Sequence, residues 1–392
     1  MSEWKETNIG KLATFSKGRL TVQSDNIEDG YLPLINADAV NGKPILFSHT
    51  KGAVLCEEND ILMLWDGERS GLVTIGHNGV VGSTFSKLQT IDGIDSKYLF
   101  YFLYNKFSWI QNNRTGTGVP HVPKDIAKIL FVKYPEDKNE QRKIAKILSS
   151  ADTVIEKTQV TIAKYKAIKQ GMLNDLFTRG IDIKTGKLRP SYAYAPELYK
   201  ESALGWIPKE WEVDKLGELI KVSSGEGLTL NNIKIGSYPV YGGNGINGYH
   251  SEYLFAEKRL IIGRVGEYCG NAYITQSFSW VTDNALIVSY IEKEFDFDFW
   301  VTYLNFLNLN SFAYAAAQPV ITGGIINKIP IVRISLTEQK AISKRILAID
   351  QKISVEQLYL QKLQQLKSGL MADLLSGKKL VTIPESIEPQ TT

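Results

Sequence analysis

Cysteine is scarce in this sequence, and long apolar runs are absent. The 392 residues include only Cys56 and Cys269, too few for a disulfide framework or a cysteine-based zinc site, and this usage suits a reducing compartment. No stretch approaches the ~18 apolar residues of a membrane span, and the first residues lack the apolar core of a signal peptide. We therefore expect a soluble cytoplasmic protein that makes no membrane contact.

The sequence also lacks an excess of one charge and any pair of adjacent prolines. Its 45 Lys and Arg against 42 Asp and Glu leave a net charge of only +3, which excludes a basic nucleic-acid tail. Without adjacent prolines there is no Asn-Pro-Pro-Tyr or Asp-Pro-Pro-Tyr methyltransferase tetrapeptide. The four histidines do not have the spacing of metal ligands, and we expect them at the surface or in loops. They are His49, His77, His121 and His250. We expect no catalytic constellation and no metal site.

Two glycine-rich stretches resemble nucleotide-binding motifs but lack the required context. Gly243 to Gly248 fits GxGxxG, yet no helix pattern follows it, so it predicts a turn. Gly180 to Lys187 resembles a phosphate loop, but the glycine spacing is one residue too long and Leu188 replaces the needed Ser or Thr. This second stretch is interpreted as part of a linker.

The chain contains an internal duplication. The segment EWKETNIGKLATFSKG, which starts at Glu3, parallels EWEVDKLGELIKVSSG from Glu210, and Trp4 matches Trp211 at an offset of 207 residues. Farther on, a Glu-Gln pair at Glu140 matches one at Glu338 at an offset of 198 residues. A period near 200 residues is too long for a solenoid, and it predicts a duplicated unit of a domain plus a helix.

Each copy changes from short alternating apolar runs to one long helical pattern. The runs, separated by Gly, Asn and Asp-Gly turns, predict β-rich domains at residues 1–135 and 206–335. The helical patterns predict long helices at 136–180 and 336–380, with a linker at 181–205 and a C-terminal tail at 381–392.

The apolar residues of the two helices follow a 4,3 spacing, which is typical of a coiled-coil seam. A helix of 38 residues, from Glu140 to Phe177, would be roughly 57 Å long. Such a narrow seam favours one partner helix, although each helix could instead pack on its own domain. The predicted interface residues are Ile144, Leu148, Ile155, Ile162, Ile342, Ile346, Ile353 and Leu360.

Chain order favours an antiparallel helix pair, because a parallel pair would force the linker to span the whole rod. The predicted fold class is therefore α+β: two β-rich globular domains joined by two long helices that pair as an antiparallel coiled coil, with a pseudo-two-fold internal duplication.

Three features carry a resemblance to a known family: the repeated opening, the Glu-Gln pair that leads into each helix, and the closing segments GMLNDLFT and GLMADLLS. In these features the chain resembles the specificity subunit of type I restriction-modification systems. The resemblance covers nearly the whole chain. It implies two target-recognition domains that each read one half of a bipartite, asymmetric sequence in double-stranded DNA, with the helices setting the spacer. Half-sites about one helical turn apart suit such a pseudo-dyad.

The resemblance also implies partners and cofactors. Two methyltransferase subunits, which modify adenine, and two restriction subunits, which cleave and translocate DNA, would assemble on this chain. The chain itself would be non-catalytic and bind no cofactor, whereas S-adenosylmethionine, and ATP with Mg2+, would bind the partner subunits. The expected location is the cytoplasm of a prokaryote, on DNA.

Base-reading residues are expected in Gly-flanked loops with polar and basic side chains, since arginine suits guanine, and asparagine or glutamine suits adenine. The candidates are Lys17, Arg19, Arg69, Arg114, His121 and Lys124 in the first copy, and Arg264, Tyr268, Gln318 and Thr322 in the second.

Two alternatives remain open from the sequence. An autonomous enzyme such as a methyltransferase is opposed by the missing tetrapeptide. A coiled-coil scaffold that bridges two protein-binding domains has the same architecture. The predicted domains at 1–135 and 206–335 carry 14 basic against 14 acidic and 10 basic against 13 acidic residues, so we expect weak, salt-sensitive DNA binding by the isolated chain.

Overall fold

A computed structural model describes residues 3–116, 118–228, 235–290, 295–314 and 318–381. Nearly all of the predicted tail at 381–392 therefore lies outside the described residues. The chain divides into two compact units, Met1–Val160 with Gln357–Thr392, and Thr161–Glu356. Each unit contains one β-rich domain and parts of both long helices.

The first unit is built on three small sheets. A four-stranded antiparallel sheet has the order β2-β10-β7-β8, a five-stranded sheet has the order β3-β5-β4-β9-β6, and β1 pairs with β11. The strands are β1 (Trp4–Asn8), β2 (Ala13–Lys17), β3 (Gln23–Ser24), β4 (Tyr31–Ile35), β5 (Phe47–His49), β6 (Leu55–Cys56), β7 (Ile61–Leu64), β8 (Val73–Thr74), β9 (Gly79–Val81), β10 (Phe85–Thr90) and β11 (Phe131–Pro135).

Helices pack on both faces of the four-stranded sheet in this unit: the first lies on the face that carries Leu62 and Leu64, and the others lie on the face that carries Ile61 and Met63. The helices are α1 (Ala37–Val40), α2 (Ser96–Asn105), α3 (Phe107–Asn112), α4 (Ile126–Ile129) and the long α5 (Lys138–Thr178). Strand β7 is buried along its whole length, which explains its uninterrupted apolar sequence. Helix α2 starts after Asp95, whose side chain accepts a hydrogen bond from the amide of Tyr98 at 3.0 Å and so caps the helix.

The second unit repeats most of this plan. Its four-stranded sheet has the order β17-β23-β20-β21, a three-stranded sheet has the order β19-β18-β22, and β16 pairs with β24. The strands are β12 (Ile181–Asp182), β13 (Lys187–Leu188), β14 (Tyr199–Ser202), β15 (Gly205–Pro208), β16 (Glu212–Lys215), β17 (Ile220–Ser224), β18 (Tyr238–Gly242), β19 (Gly245–His250), β20 (Leu260–Gly263), β21 (Ala272–Ile274), β22 (Trp280–Val281), β23 (Ala285–Tyr290) and β24 (Pro330–Arg333).

The helices of the second unit occupy matching places. They are α6 (Leu216–Leu219), α7 (Phe297–Phe306), α8 (Gly323–Ile326) and the long α9 (Leu336–Leu374). Helix α7 begins after Asp296, which accepts from the amide of Phe299 at 2.8 Å and repeats the cap of α2. Within the described residues, the three-stranded sheet is smaller than its five-stranded counterpart.

The long helices pair antiparallel within each unit. In the first unit, Ile144 and Leu148 near the start of α5 share a core with Met371 and Leu374 at the end of α9. In the second unit, residues near the end of α5 share a core with Ile342 and Ile346 near the start of α9. The same cores contain the sheet residues of each domain, so each domain packs on both helices and not on its own helix alone.

The segment predicted as a linker is folded. Strands β12 and β13 form one hairpin, β14 and β15 form another, and Tyr192 stacks on Trp206 with ring centroids 4.3 Å apart. Helix α9 ends at Leu374, short of the predicted 380, because Gly377 takes a left-handed φ of 74°. Among the described residues, no helix is long and apolar enough to cross a membrane.

Candidate nucleic-acid interface

In the first unit, two chain segments far apart in sequence are joined by backbone hydrogen bonds. Gly67 donates to the carbonyl of Pro120 at 2.9 Å, and Val122 donates to the carbonyl of Trp65 at 3.0 Å. The first segment turns sharply, because Gly71 donates back to Leu64 at 2.6 Å. Residues 64–71, 115–116 and 118–122 together form what we call the paired-loop frame of the first unit.

The second unit contains the same frame in residues 263–270, 314 and 318–321. Gly266 donates to Pro319 at 3.0 Å, Ile321 donates to Arg264 at 2.9 Å, and Gly270 donates to Gly263 at 2.7 Å. Gly266 and Gly270 have positive φ angles of 85° and 86°, a conformation that glycine adopts without steric cost. The two domains differ in sequence, but the same backbone hydrogen bonds hold these loops in both.

A charged cluster lies on the frame of the first unit. Asp66 accepts a hydrogen bond from the ammonium of Lys17 at 2.6 Å, and its other carboxylate oxygen lies 2.7 Å from Nδ1 of His121. The Lys17 ammonium also lies 5.6 Å from the ring centroid of Trp65, within cation–π range. These contacts hold two candidate side chains, Lys17 and His121, in fixed positions at a partly exposed surface.

The other basic candidates of the first copy differ in how they are held. Arg114 donates to the backbone carbonyls of Gln111 and Glu68, both at 2.8 Å. This arginine therefore braces the turn with two of its five N–H donors. Arg69 is exposed and donates to the side chain of Asn41 at 3.2 Å.

Two candidates of the first copy lie apart from the charged cluster. Arg19 is exposed and makes a long contact, 3.4 Å, with the carbonyl of Gly52 beside the five-stranded sheet. Lys124 is exposed just after the frame. Neither residue is held by short side-chain contacts of the kind that hold Lys17 and His121 on Asp66.

In the second unit, three of the four candidates lie on the frame. Arg264 is partly exposed and makes only long contacts, 3.5 Å each, with the Ser224 hydroxyl and the Asp283 carbonyl. Tyr268 is 43% exposed, and Gln318 is exposed beside Gly266. Thr322 instead caps helix α8 by accepting from the amide of Ile325, so a structural role accounts for it.

Sequence reasoning missed several residues of the frames. Asp66, which pairs with Lys17 and His121, is not among the candidates, and neither are Val265 and Val320. Aligning WDGERSG from Trp65 with RVGEYCG from Arg264 at an offset of 199 residues pairs Asp66 with Val265, and the same offset pairs His121 with Val320. That signal is short, so it becomes visible only beside the two longer repeats.

Most of the predicted helix-interface residues are buried. Ile155 and Leu360 are partly exposed, and the remaining six are at most 8% exposed: Ile144, Leu148, Ile162, Ile342, Ile346 and Ile353. Ionic contacts accompany this seam. Lys367 contacts Asp152 at 2.5 Å in the first unit, and Lys169 contacts Asp350 at 2.6 Å in the second.

One expectation about the histidines was wrong. His250, expected at the surface, is 2% exposed at the end of β19 and packs edge-on against Trp280, because the hairpin of β18 and β19 carries it inward. The glycines at 243–248 form that hairpin, as predicted. No group of His, Cys, Asp or Glu suited to a metal ion occurs within the described residues.

Comparisons with known proteins agree with this architecture. The family model described as the type I restriction modification DNA specificity domain matches residues 1–164 and again 208–367. A type I restriction enzyme specificity subunit of Methanocaldococcus jannaschii (MjaVIII) is 28% identical, over 96% of this chain and 93% of its own. The EcoprrI specificity subunit of Escherichia coli is 27% identical, over 74% of this chain and 70% of its own.

Solved structures share the fold. The S subunit of a type I restriction-modification system from M. genitalium superposes with a TM-score of 0.63 at 20% identity, covering 97% of each chain. A chain from a study of complex assembly in a type I system gives 0.53 at 13% identity, covering 95% of this chain and 97% of that one. The family model covers most of the sequence in two copies, and the chain therefore belongs to the type I restriction-modification DNA specificity family.

Proposed function

We propose that this chain is the DNA sequence-specificity subunit of a type I restriction-modification complex. Each β-rich domain reads one half of a bipartite, asymmetric sequence in double-stranded DNA, and the antiparallel helices set the distance between the halves. The observation that carries this proposal is the paired-loop frame, which occurs once in each unit with the same backbone bonds and different side chains. Fixed backbones with variable loops are a common basis of selective recognition.

The proposed chain is not itself an enzyme. It recruits two methyltransferase subunits and, in the full complex, two restriction subunits that cleave and translocate DNA. S-adenosylmethionine, and ATP with Mg2+, bind those partners and not this chain. The complex acts on DNA in the cytoplasm of a prokaryotic cell.

Methylation mapping tests the proposal directly. The full chain is expressed with its methyltransferase partners in a cell that lacks other adenine methylation, and modified adenines are located by long-read sequencing. We expect methylation at one bipartite motif with a fixed spacer. A second chain, in which residues 206–335 are replaced by the corresponding domain of another family member, is expected to change one half of the motif and leave the other half and the spacer unchanged.

Two outcomes would reject the proposal. Methylation that stays identical after the domain exchange would mean that the exchanged domain does not read DNA. If the chain were a scaffold between two proteins, the partner complex would shift cognate and scrambled duplexes equally in a gel. Binding of S-adenosylmethionine by the isolated chain would instead favour an autonomous enzyme.

A further inference from the structure

The two paired-loop frames can be matched residue by residue. Asp66 and His121 form an isolated antiparallel bridge in the first unit, and Val265 and Val320 form the corresponding bridge in the second. Subtracting 66 from 265, or 121 from 320, gives the same offset of 199 residues. The backbone is therefore the same at these places, and only the side chains can make the two surfaces differ.

The side chains at matched positions differ in chemical class. The first unit has the charged, hydrogen-bonded pair Asp66 and His121, whereas the second has two valines. At the next matched position, Trp65 corresponds to Arg264, and at the turn, exposed Arg69 corresponds to exposed Tyr268. By contrast, the frame glycines are kept: Gly67 and Gly71 correspond to Gly266 and Gly270.

We infer that the matched positions 65/264, 66/265, 69/268 and 121/320 determine which bases each domain reads, an inference that rests on the proposed function. The glycines and the cross-frame hydrogen bonds hold these positions in place. Arg114 and Thr322 belong to the supporting structure, because their polar groups are bonded to backbone atoms.

The side chains assign a base class to each half-site. The Asp66 carboxylate can only accept, so Nδ1 of His121 carries the proton of their hydrogen bond, and in the neutral imidazole Nε2 is then an acceptor. An acceptor suits the exocyclic amino group of adenine or cytosine in the major groove. The first half-site is therefore expected to include such a base at the position that His121 reaches.

The second half-site is expected to include guanine. With the residues that the structure describes, the guanidinium of Arg264 makes contacts no shorter than 3.5 Å, which leaves its donors to the two acceptors on the guanine edge. The adjacent Val265 and Val320 present methyl groups, which suit the methyl group of thymine and not a polar base edge.

Three substitutions in the full complex test this assignment. Duplexes randomised over the wild-type motif are methylated by the chain with its methyltransferase partners, and the modified sequences are counted. Arg264→Lys keeps the charge but removes the two-pronged fork, so we expect guanine preference at one position to fall roughly tenfold to a hundredfold. Val320→His is expected to change a neighbouring base in the same half, and His121→Val one base in the other half. Lys258→Met, an exposed control outside the frame, removes a charge without changing base preference.

The outcomes separate this inference from the proposed function. If the wild-type chain directs no bipartite methylation, the proposed function fails and the inference with it. If the wild type does so and Arg264→Lys and Val320→His both leave every base preference unchanged, or lower methylation equally at all sequences, the inference is overturned. Retained discrimination in the unmutated half shows that each variant complex has assembled. A change confined to one half, absent in Lys258→Met, supports the assignment.

Discussion

The strongest prediction for stability concerns Glu338, which lies in the Glu-Gln pair at the start of α9. Its carboxylate accepts from Arg189 at 2.5 Å, from the amide of Ile181 at 2.7 Å and from the indole of Trp211 at 3.0 Å. The side chains of Glu338 and Arg189 are 3% and 7% exposed, so the ion pair is buried. One carboxylate thus ties the start of α9 to the chain after α5 and to the start of the second domain.

Removing this carboxylate leaves an unpaired buried charge and two unpaired buried donors. Breaking a buried pair by deleting one partner costs about 3–5 kcal/mol, and each buried donor left without an acceptor adds about 1–3 kcal/mol, with incomplete additivity. We therefore expect Glu338→Ala to lower the free energy of unfolding of the second unit by at least about 3 kcal/mol. Glu338→Gln keeps an acceptor oxygen and should cost less.

The exposed residue Glu210 provides a matched control. Its carboxylate lies 3.7 Å from the same Arg189 but is 68% exposed, so Glu210→Ala should cost less than about 1 kcal/mol. The double variant Arg189→Met with Glu338→Met removes both charges and should be more stable than Glu338→Ala.

Urea denaturation and hydrogen exchange of the amides at 180–190 provide the measurements. Exchange at Ile181 should rise sharply in Glu338→Ala and stay near wild type in Glu210→Ala. The reasoning would be refuted if Glu338→Ala and Glu210→Ala had the same unfolding midpoint and the same exchange pattern.

Three further predictions concern individual side chains. Burial raises the pKa of Tyr303 to about 12, and its hydroxyl accepts from the amide of Val332 at 3.2 Å; Tyr303→Phe should cost about 1–3 kcal/mol in urea denaturation, because that buried amide loses its acceptor. Burial lowers the pKa of His77 below its ordinary 6.5. Below pH 6.5 the unfolded chain therefore binds a proton at this histidine more readily than the folded protein does, and the free energy of unfolding falls as the pH decreases. His77→Gln should flatten this pH dependence between pH 7 and 5. In the Asp152–Lys367 pair the lysine side chain is 13% exposed and the aspartate 39%, so reversing either charge should cost more than the about 1 kcal/mol of an exposed pair, and a double-mutant cycle with both charges exchanged should recover part of it.

Sequence alone predicted the parts of the fold that depend on long or repeated signals. The helices were predictable because their seam recurs over dozens of residues. The repeated glycines have a steric basis: a Cβ on Gly10 would lie 2.8 Å from the carbonyl oxygen of Ala127, and one on Gly217 would lie 2.6 Å from the Cβ of Asn327. The recurring apolar residues therefore indicated the long helices, and the recurring glycines indicated places where the backbone packs closely.

The recognition surface was harder to predict, because its contacts join distant parts of the chain. Asp66 and His121 are separated by 55 residues, yet their side chains lie 2.7 Å apart. Loop composition placed Arg114 and Thr322 among the base readers, although their polar groups bond to the backbone. Composition identifies which side chains can donate or accept, whereas the fold determines which of them still have donors and acceptors available.

The charge balance of the frames predicts how DNA affinity is divided in the complex. In the first unit, Asp66 pairs with Lys17, so part of the positive charge at the reading surface is already neutralised. Affinity for duplex DNA depends largely on the phosphates that unpaired Lys and Arg side chains neutralise, and the slope of log K against log salt grows with their number. The isolated chain should therefore bind cognate duplex weakly, and adding methyltransferase subunits should tighten binding and steepen that slope. Titrations by fluorescence anisotropy at several salt concentrations measure both. Equal affinities and slopes with and without the partners would contradict this division, because the phosphate contacts would then all belong to this chain.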